Sequence, residues 1–306
     1  MYGVKQMKKS INFNLFLMDG EVTGRIKCTL ANWTGLAYRI PRQHLANCKD
    51  RSDLKNSGVY FLFGQDSEEE EEVYIGQAGN RRNGQGVLFR VIEHTREENN
   101  DFTDVIILTT QNNSFGPTEI SYLEHKFTNM ARETGRFKVR NNNDPHIGNV
   151  TEEKESELLD FLEYSKLVLG VLGYKIFVPL LEKPSPVVES ESKELELYLK
   201  KTKRNKEIIE AKCISTNEGF VVLEGSMIDE YDQSSIPLAI KEKREKARKK
   251  GRIVNGKITK DYLFNSPSAA AAFIRGASSN VRTAWKTREG ITLKELEERE
   301  IKKVLK

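Results

Sequence analysis

Two short apolar runs, GVYFLF at 58–63 and VYIG at 73–76, stand on either side of five consecutive glutamates at 68–72. Adjacent like charges repel and glutamate has poor strand propensity, so the block is expected as an exposed connection. The flanking runs then pair as an antiparallel hairpin. Successive strand side chains point to opposite faces, so Val59, Phe61 and Phe63 share one face and Tyr60 and Leu62 the other. Tyr60 is thus turned away from the most apolar face, and folding the connection back lets it approach Tyr74 on the neighbouring strand.

The surrounding segments alternate between strand and helix patterns. SINFNLFLMDGEVTGRIKCTL alternates polar and apolar residues about Asp19-Gly20, a pair that suits a two-residue hairpin turn. GVLFRVIEHTREE has helical spacing: Leu88, Val91 and Ile92 form a stripe, while Arg90 and His94, four apart, share another face and taken alone read as surface residues. DFTDVIILTT is a strand candidate. TEISYLEHKFTNMARETG reads as a helix closed by Gly135, with Ile120, Leu123, Phe127, Met130 and Ala131 on one stripe. Glu124 falls at the edge of that stripe, where a partly desolvated carboxylate needs a basic side chain or a metal ion. After the Asn-rich loop RFKVRNNNDPHIGN come a long helix over about 152–172 and a short strand, YKIFVPL.

A chain of 306 residues suits two domains. EKPSPVVESESKE has the Pro, Ser and Glu content of a linker and marks a boundary near 183. The expected division is 1–182, a linker at 183–206, and 207–306. A helical connection leads to the strand-like GFVVLEGSMI, then to the basic block KEKREKARKKGR. In FNSPSAAAAFIRG, Ser266 is a candidate N-cap, Pro267 suits the first helical position and Gly276 the end. Trp285 is expected to anchor a small core. With 38% hydrophobic and 31% charged residues, and with LVLGVLGYKIFVPLL too short to span a bilayer, the chain reads as a cytosolic protein without a membrane segment. Cys28, Cys48 and Cys213 lack C-x-x-C spacing, which argues against a disulfide framework or zinc site. The net charge of +4 is small, but Lys and Arg crowd residues 236–260. Lys246, Arg248, Lys249, Lys250 and Arg252 are the candidates there for contact with a phosphate backbone, against the alternative of a solvated basic helix.

Residues 58–141 resemble the catalytic core of the GIY-YIG nucleases: GVY at 58–60 stands at the first signature triplet and YIG at 74–76 at the second. Arg90, His94, Glu124 and Asn141 follow in the family's order, with Asn142 and Asn143 as alternatives for the last. The resemblance implies an α+β fold: a core over about 56–145 of a small, mostly antiparallel sheet flanked by helices, preceded by the β-hairpin and followed by a second small α+β domain. It implies a DNA endonuclease dependent on Mg2+ (or Mn2+), acting by in-line attack of water, in bacterial restriction, defence or repair. Tyr60 would activate the water, Tyr74 order it, Arg90 neutralise phosphate charge, His94 assist at the nucleophile or phosphate, and Glu124 hold the cation. An unperturbed phenol, of pKa about 10, is a poor base, so Tyr60 needs help in that role. Val59 departs from the usual Ile, and the acidic run would repel DNA if it faced the substrate. GFVVLEGS and SPSAAAAFIRG...TAWK resemble a C-terminal domain of unknown function often found after such cores. The rival readings are a nucleic-acid-binding module that does not cut and a nuclease acting on RNA.

Overall fold

Alternating apolar residues near the start build a hairpin, β1 (Phe13–Leu17) against β2 (Ile26–Leu30), in register from Phe13↔Leu30 to Leu17↔Ile26. Its connection is longer than the two-residue turn Asp19-Gly20 suggests. Residues 18–25 make two successive tight turns, and the Asp19 carboxylate accepts the Arg25 backbone N–H at 2.8 Å and its guanidinium N–H. An aspartate bonded locally to backbone holds such a loop open.

The computed structural model describes residues 10–80, 84–97, 101–141, 143–181, 195–202, 207–278 and 283–304. The chain divides into two compact units, Met1–Pro179 and Leu180–Lys306. In the first, β3 (Gly35–Pro41), β4 (Gly58–Gln65), β5 (Glu71–Ala78), β6 (Asp104–Thr110) and the short β7 (Lys138–Val139) complete a seven-stranded sheet of order β1-β2-β3-β6-β4-β5-β7. Every pairing is antiparallel except β5 with β7. Helices α2 (Pro117–Thr134) and α3 (Glu152–Val171) cover the face carrying Val59, Phe61 and Phe63. Helix α1 (Val87–His94) and the 3-10 turns Arg42–Cys48 and Ser52–Lys55 cover the face carrying Tyr60 and Leu62. With β5 and β6 beside it and helices on both faces, β4 is buried throughout 58–63, which is why that run is apolar without interruption.

Two local expectations are corrected in this unit. Glu71 and Glu72 belong to β5 rather than to the exposed connection, which is confined to 66–70. Glu72 is 7% exposed and pairs with Arg140 at 2.8 Å, so a strand position beside β7 supplies the countercharge that the sequence pattern conceals. YKIFVPL forms no strand. Its backbone instead closes α3, Tyr174 N–H donating to Leu169 O at 2.8 Å, while Tyr174 stacks on Phe63 and Phe177 on Phe127. Aromatic packing thus fixes the segment without a strand partner.

The second unit has a four-stranded antiparallel sheet of order β13-β10-β9-β8, formed by β8 (Leu195–Thr202), β9 (Ile208–Thr216), β10 (Gly219–Val222) and β13 (Tyr262–Phe264). A small hairpin, β11 (Ile253–Val254) with β12 (Lys257–Ile258), and helices α4 (Leu238–Lys249), α5 (Pro267–Arg275) and α6 (Leu293–Val304) complete it. The expected linker at 183–206 is corrected over 195–202, and the helical connection after it is a strand pair. Leu197 and Leu199 alternate into the core with Ile209, Ala211 and Cys213 of β9, a period of two that the neighbouring lysines and glutamates obscure. The rest of the linker, 183–194 and 203–206, lies outside the described residues. The Ser266 hydroxyl accepts from Ala269 N–H at 3.1 Å, Gly276 ends α5 with φ +64°, and the fully buried Trp285 donates its indole N–H to Pro267 O at 2.9 Å. All three cysteines are buried and unpaired. No described helix is long and apolar enough to cross a membrane.

Candidate active site

The register of β4 and β5 places Tyr60 opposite Gly76 and Leu62 opposite Tyr74, so the two tyrosines are diagonal neighbours on one sheet face. Their ring centroids are 6.3 Å apart. A Cβ on Gly76 would collide with the Tyr60 ring and hydroxyl, so the glycine of VYIG clears the floor on which Tyr60 lies. Helix α1 crosses the same face. It begins at Gly86, where any Cβ would strike the Lys55 and Asn56 carbonyls, and ends at His94.

His94 is 3% exposed, which corrects the reading of it as a surface residue. Its ring lies 5.4 Å from that of Tyr60 and 5.3 Å from that of Tyr74, and its Nε2 is 2.7 Å from the Tyr60 hydroxyl. The other nitrogen, Nδ1, is 2.7 Å from the Glu97 carboxylate. A carboxylate accepts, so Nδ1 carries the proton and Nε2 presents its lone pair to the Tyr60 O–H. Arg90, one turn earlier, is partly exposed, hydrogen-bonds Glu93 at 3.2 Å and Tyr60, and approaches Glu97 at 3.6 Å.

These neighbours set the charges. Burial first, then the neighbouring Tyr74, push the Tyr60 hydroxyl well above the ordinary phenol range against the lowering effect of Arg90. Tyr60 therefore holds its proton more firmly than a free phenol and is less available as a phenolate. Burial, then Glu124, raise Tyr74 as well. Burial lowers the His94 pKa against the opposing bond to Glu97, leaving a neutral imidazole near neutral pH.

Glu124 lies on α2, which packs on the other face of the sheet, and its charge raises both phenols. Burial raises its carboxyl to about 7, a shift that its hydrogen bond to Gln77 partly opposes. Gln77 in turn donates to Ser121 at 2.9 Å, tying β5 to α2. Among the described residues no Lys or Arg forms an ion pair with Glu124. A half-buried carboxylate without a basic partner fits a hard cation that keeps most of its water and takes further oxygens from a phosphate. Among the described residues no cluster of three or more acidic, His or Cys side chains forms a closed metal cage.

Asn141 stands apart from the hydroxyls. Its side chain accepts from Ile75 N–H at 3.0 Å and donates to Ile75 O at 2.6 Å, pairing with the strand between Tyr74 and Gly76 as another backbone would. It positions the second tyrosine rather than facing it. Asn143 is exposed, and Asn142 lies outside the described residues. Sequence reasoning missed Glu97 and Gln77. Glu97 follows His94 by three residues at a helix end, a spacing that could have pointed to it.

In the second unit the basic block divides by helix face. Arg244 is fully buried and bonds Asp232 at 2.6 Å as well as the carbonyls of Phe273 and Asp229. Arg248, four residues on, pairs with Asp232 at 2.9 Å and bonds Glu230 O, so two of the cations stabilise the unit itself. Lys246 and Lys249 are exposed on the other side, with Lys250 and Arg252 half-exposed beyond the helix end.

Residues 201–297, from the end of β8 into α6, match a family described as a domain of unknown function (DUF4357). No curated protein and no solved structure matches the chain.

Proposed function

We propose that the first unit is a divalent-metal-dependent endonuclease that hydrolyses DNA phosphodiester bonds by in-line attack of water, and that the exposed lysines of the second unit add affinity for the DNA backbone. The observation carrying this reading is the cluster of Tyr60, Tyr74, Arg90 and His94 on one sheet face, with the charge of Glu124 on α2 raising both phenols. The set combines a neutral imidazole on a phenol, a cation and a carboxylate that pairs with no Lys or Arg among the described residues. Such groups meet the needs of phosphoryl transfer, namely a proton acceptor, charge neutralisation and a seat for a metal. Glu124 would hold Mg2+ or Mn2+, and the bound cation would supply Lewis-acid stabilisation of phosphate charge. In this reading Arg90 would neutralise a phosphate oxygen and Tyr74 would order the attacking water. A cytosolic location accords with this reading.

Supercoiled plasmid incubated with magnesium or with chelator, beside Glu124→Gln, tests it. Nicking or linearisation that requires metal and falls by roughly 10²-fold or more in the variant, with folding and DNA binding retained, is the expected result. A fully active Glu124→Gln protein would sink the metal assignment. Cleavage of RNA alone in a parallel assay would replace the substrate, and no cleavage with any divalent ion would leave a binding module.

A further inference from the structure

The His94 imidazole is held at both nitrogens, 2.7 Å from Tyr60 on one side and 2.7 Å from Glu97 on the other. Bonds at both ring nitrogens determine the tautomer. We propose that Glu97 is a positioning residue: by accepting the Nδ1 proton it fixes the tautomer in which His94 Nε2 receives the proton of Tyr60. This rests on the endonuclease reading and assigns within it a residue outside the signature positions.

Among the described residues, charged and titratable groups face His94 from α1 and from both strands beneath it. Glu97, Glu93 and Arg90 lie on or just beyond α1, Tyr60 on β4 and Tyr74 on β5. Arg90 disfavours a charged imidazole, whereas Glu97 and Glu93 favour it. Glu97 is therefore placed both to orient the neutral ring and to balance the imidazolium once a proton arrives. In the step itself a water O–H bond breaks and its proton bonds to the Tyr60 oxygen as the Tyr60 O–H proton moves to Nε2. The water oxygen forms the new bond to phosphorus as the bond from phosphorus to the leaving ester oxygen breaks, and the proton on His94 passes to that departing alkoxide or to solvent. Tyr60 ends as it began, a neutral phenol, so its high pKa does not block the reaction. A reversed ring would present N–H toward the phenol and close this path.

Glu97 is exposed over nearly half of its side chain, so its replacement should leave the fold intact. Nitrogen-15 NMR of histidine-labelled, metal-free protein, with His94→Gln to assign the signal, reads the tautomer directly. The Nδ1–H form is expected in the parent protein, substantially kept in Glu97→Gln, whose amide oxygen still accepts, and lost in Glu97→Leu. Plasmid cleavage should follow the same order, with kcat reduced roughly 10²-fold in Glu97→Leu, KM for DNA unchanged, and partial rescue in Glu97→Gln. An Nε2–H tautomer in the parent protein, or a Glu97→Leu protein with unchanged tautomer or unchanged cleavage, would overturn the proposal. The tautomer is measured without metal or DNA, so it separates failure of this assignment from failure of the endonuclease reading.

Discussion

Glu124 carries the clearest consequence at the scale of single residues. A carboxyl raised by burial to about 7 retains in the folded state a proton that the unfolded chain, near 4.3, has released. Its contribution to stability is present below the unfolded value and is lost as pH rises through about 7. Glu124→Gln should therefore melt a few degrees above the parent at pH 8 and level with it near pH 4, read by calorimetry with chelator present; an equal melting temperature at pH 8 would contradict the burial. Added magnesium should narrow the gap at pH 8 by stabilising the parent alone. Cleavage should fall below about pH 7, and the midpoint should move to lower pH as magnesium is raised, because metal and proton compete for one carboxylate. At Gly76 the constraint is steric. Gly76→Ala drives a methyl into the Tyr60 phenol, so a loss of about 1–3 kcal/mol with loss of cleavage is expected in denaturant and plasmid assays.

Among the elements, β5 carries the site's second tyrosine and has β7 beside it only at Glu72 and Val73. Beyond that point Asn141 takes over the role of a neighbouring strand by pairing both backbone groups of Ile75. Asn141→Ala should cost about 1–3 kcal/mol through the backbone groups it leaves unpaired, and hydrogen exchange should quicken at Ile75 first. An unchanged exchange rate there would mean that Asn141 does not hold the strand. Helix α1 is the complementary case: eight residues long, it places its cation outward and its histidine inward because Val87, Leu88 and Val91 anchor it over the Tyr60 face.

For the whole molecule there are three apolar cores: one on each face of the first unit's sheet, of which one packs around Tyr60, and a third in the second unit, most of it within the region matching DUF4357. Replacing Lys246 and Lys249 by Glu should weaken DNA binding at all sequences and reduce the salt slope by about one for each phosphate that is no longer neutralised. Arg248→Ala should instead destabilise the second unit through Asp232 and leave the slope nearly unchanged; a slope change as large as that of the lysines would return Arg248 to the DNA-binding surface. The sequence by itself determined the alternation that pairs β4 with β5, the sidedness of Tyr60 and Tyr74, the stripe that puts Glu124 at a helix edge, and the caps of α5, because each depends on residues within one or two turns of one another. Only the tertiary structure decided that His94 is buried, that Glu97 and Tyr60 hold its two nitrogens, that Glu124 acts on both phenols from the far side of the sheet, and that β8 is a strand and not part of a linker. Those outcomes depend on which face covers which and on distant segments meeting in space, and neither burial nor long-range packing leaves a periodic trace in the chain.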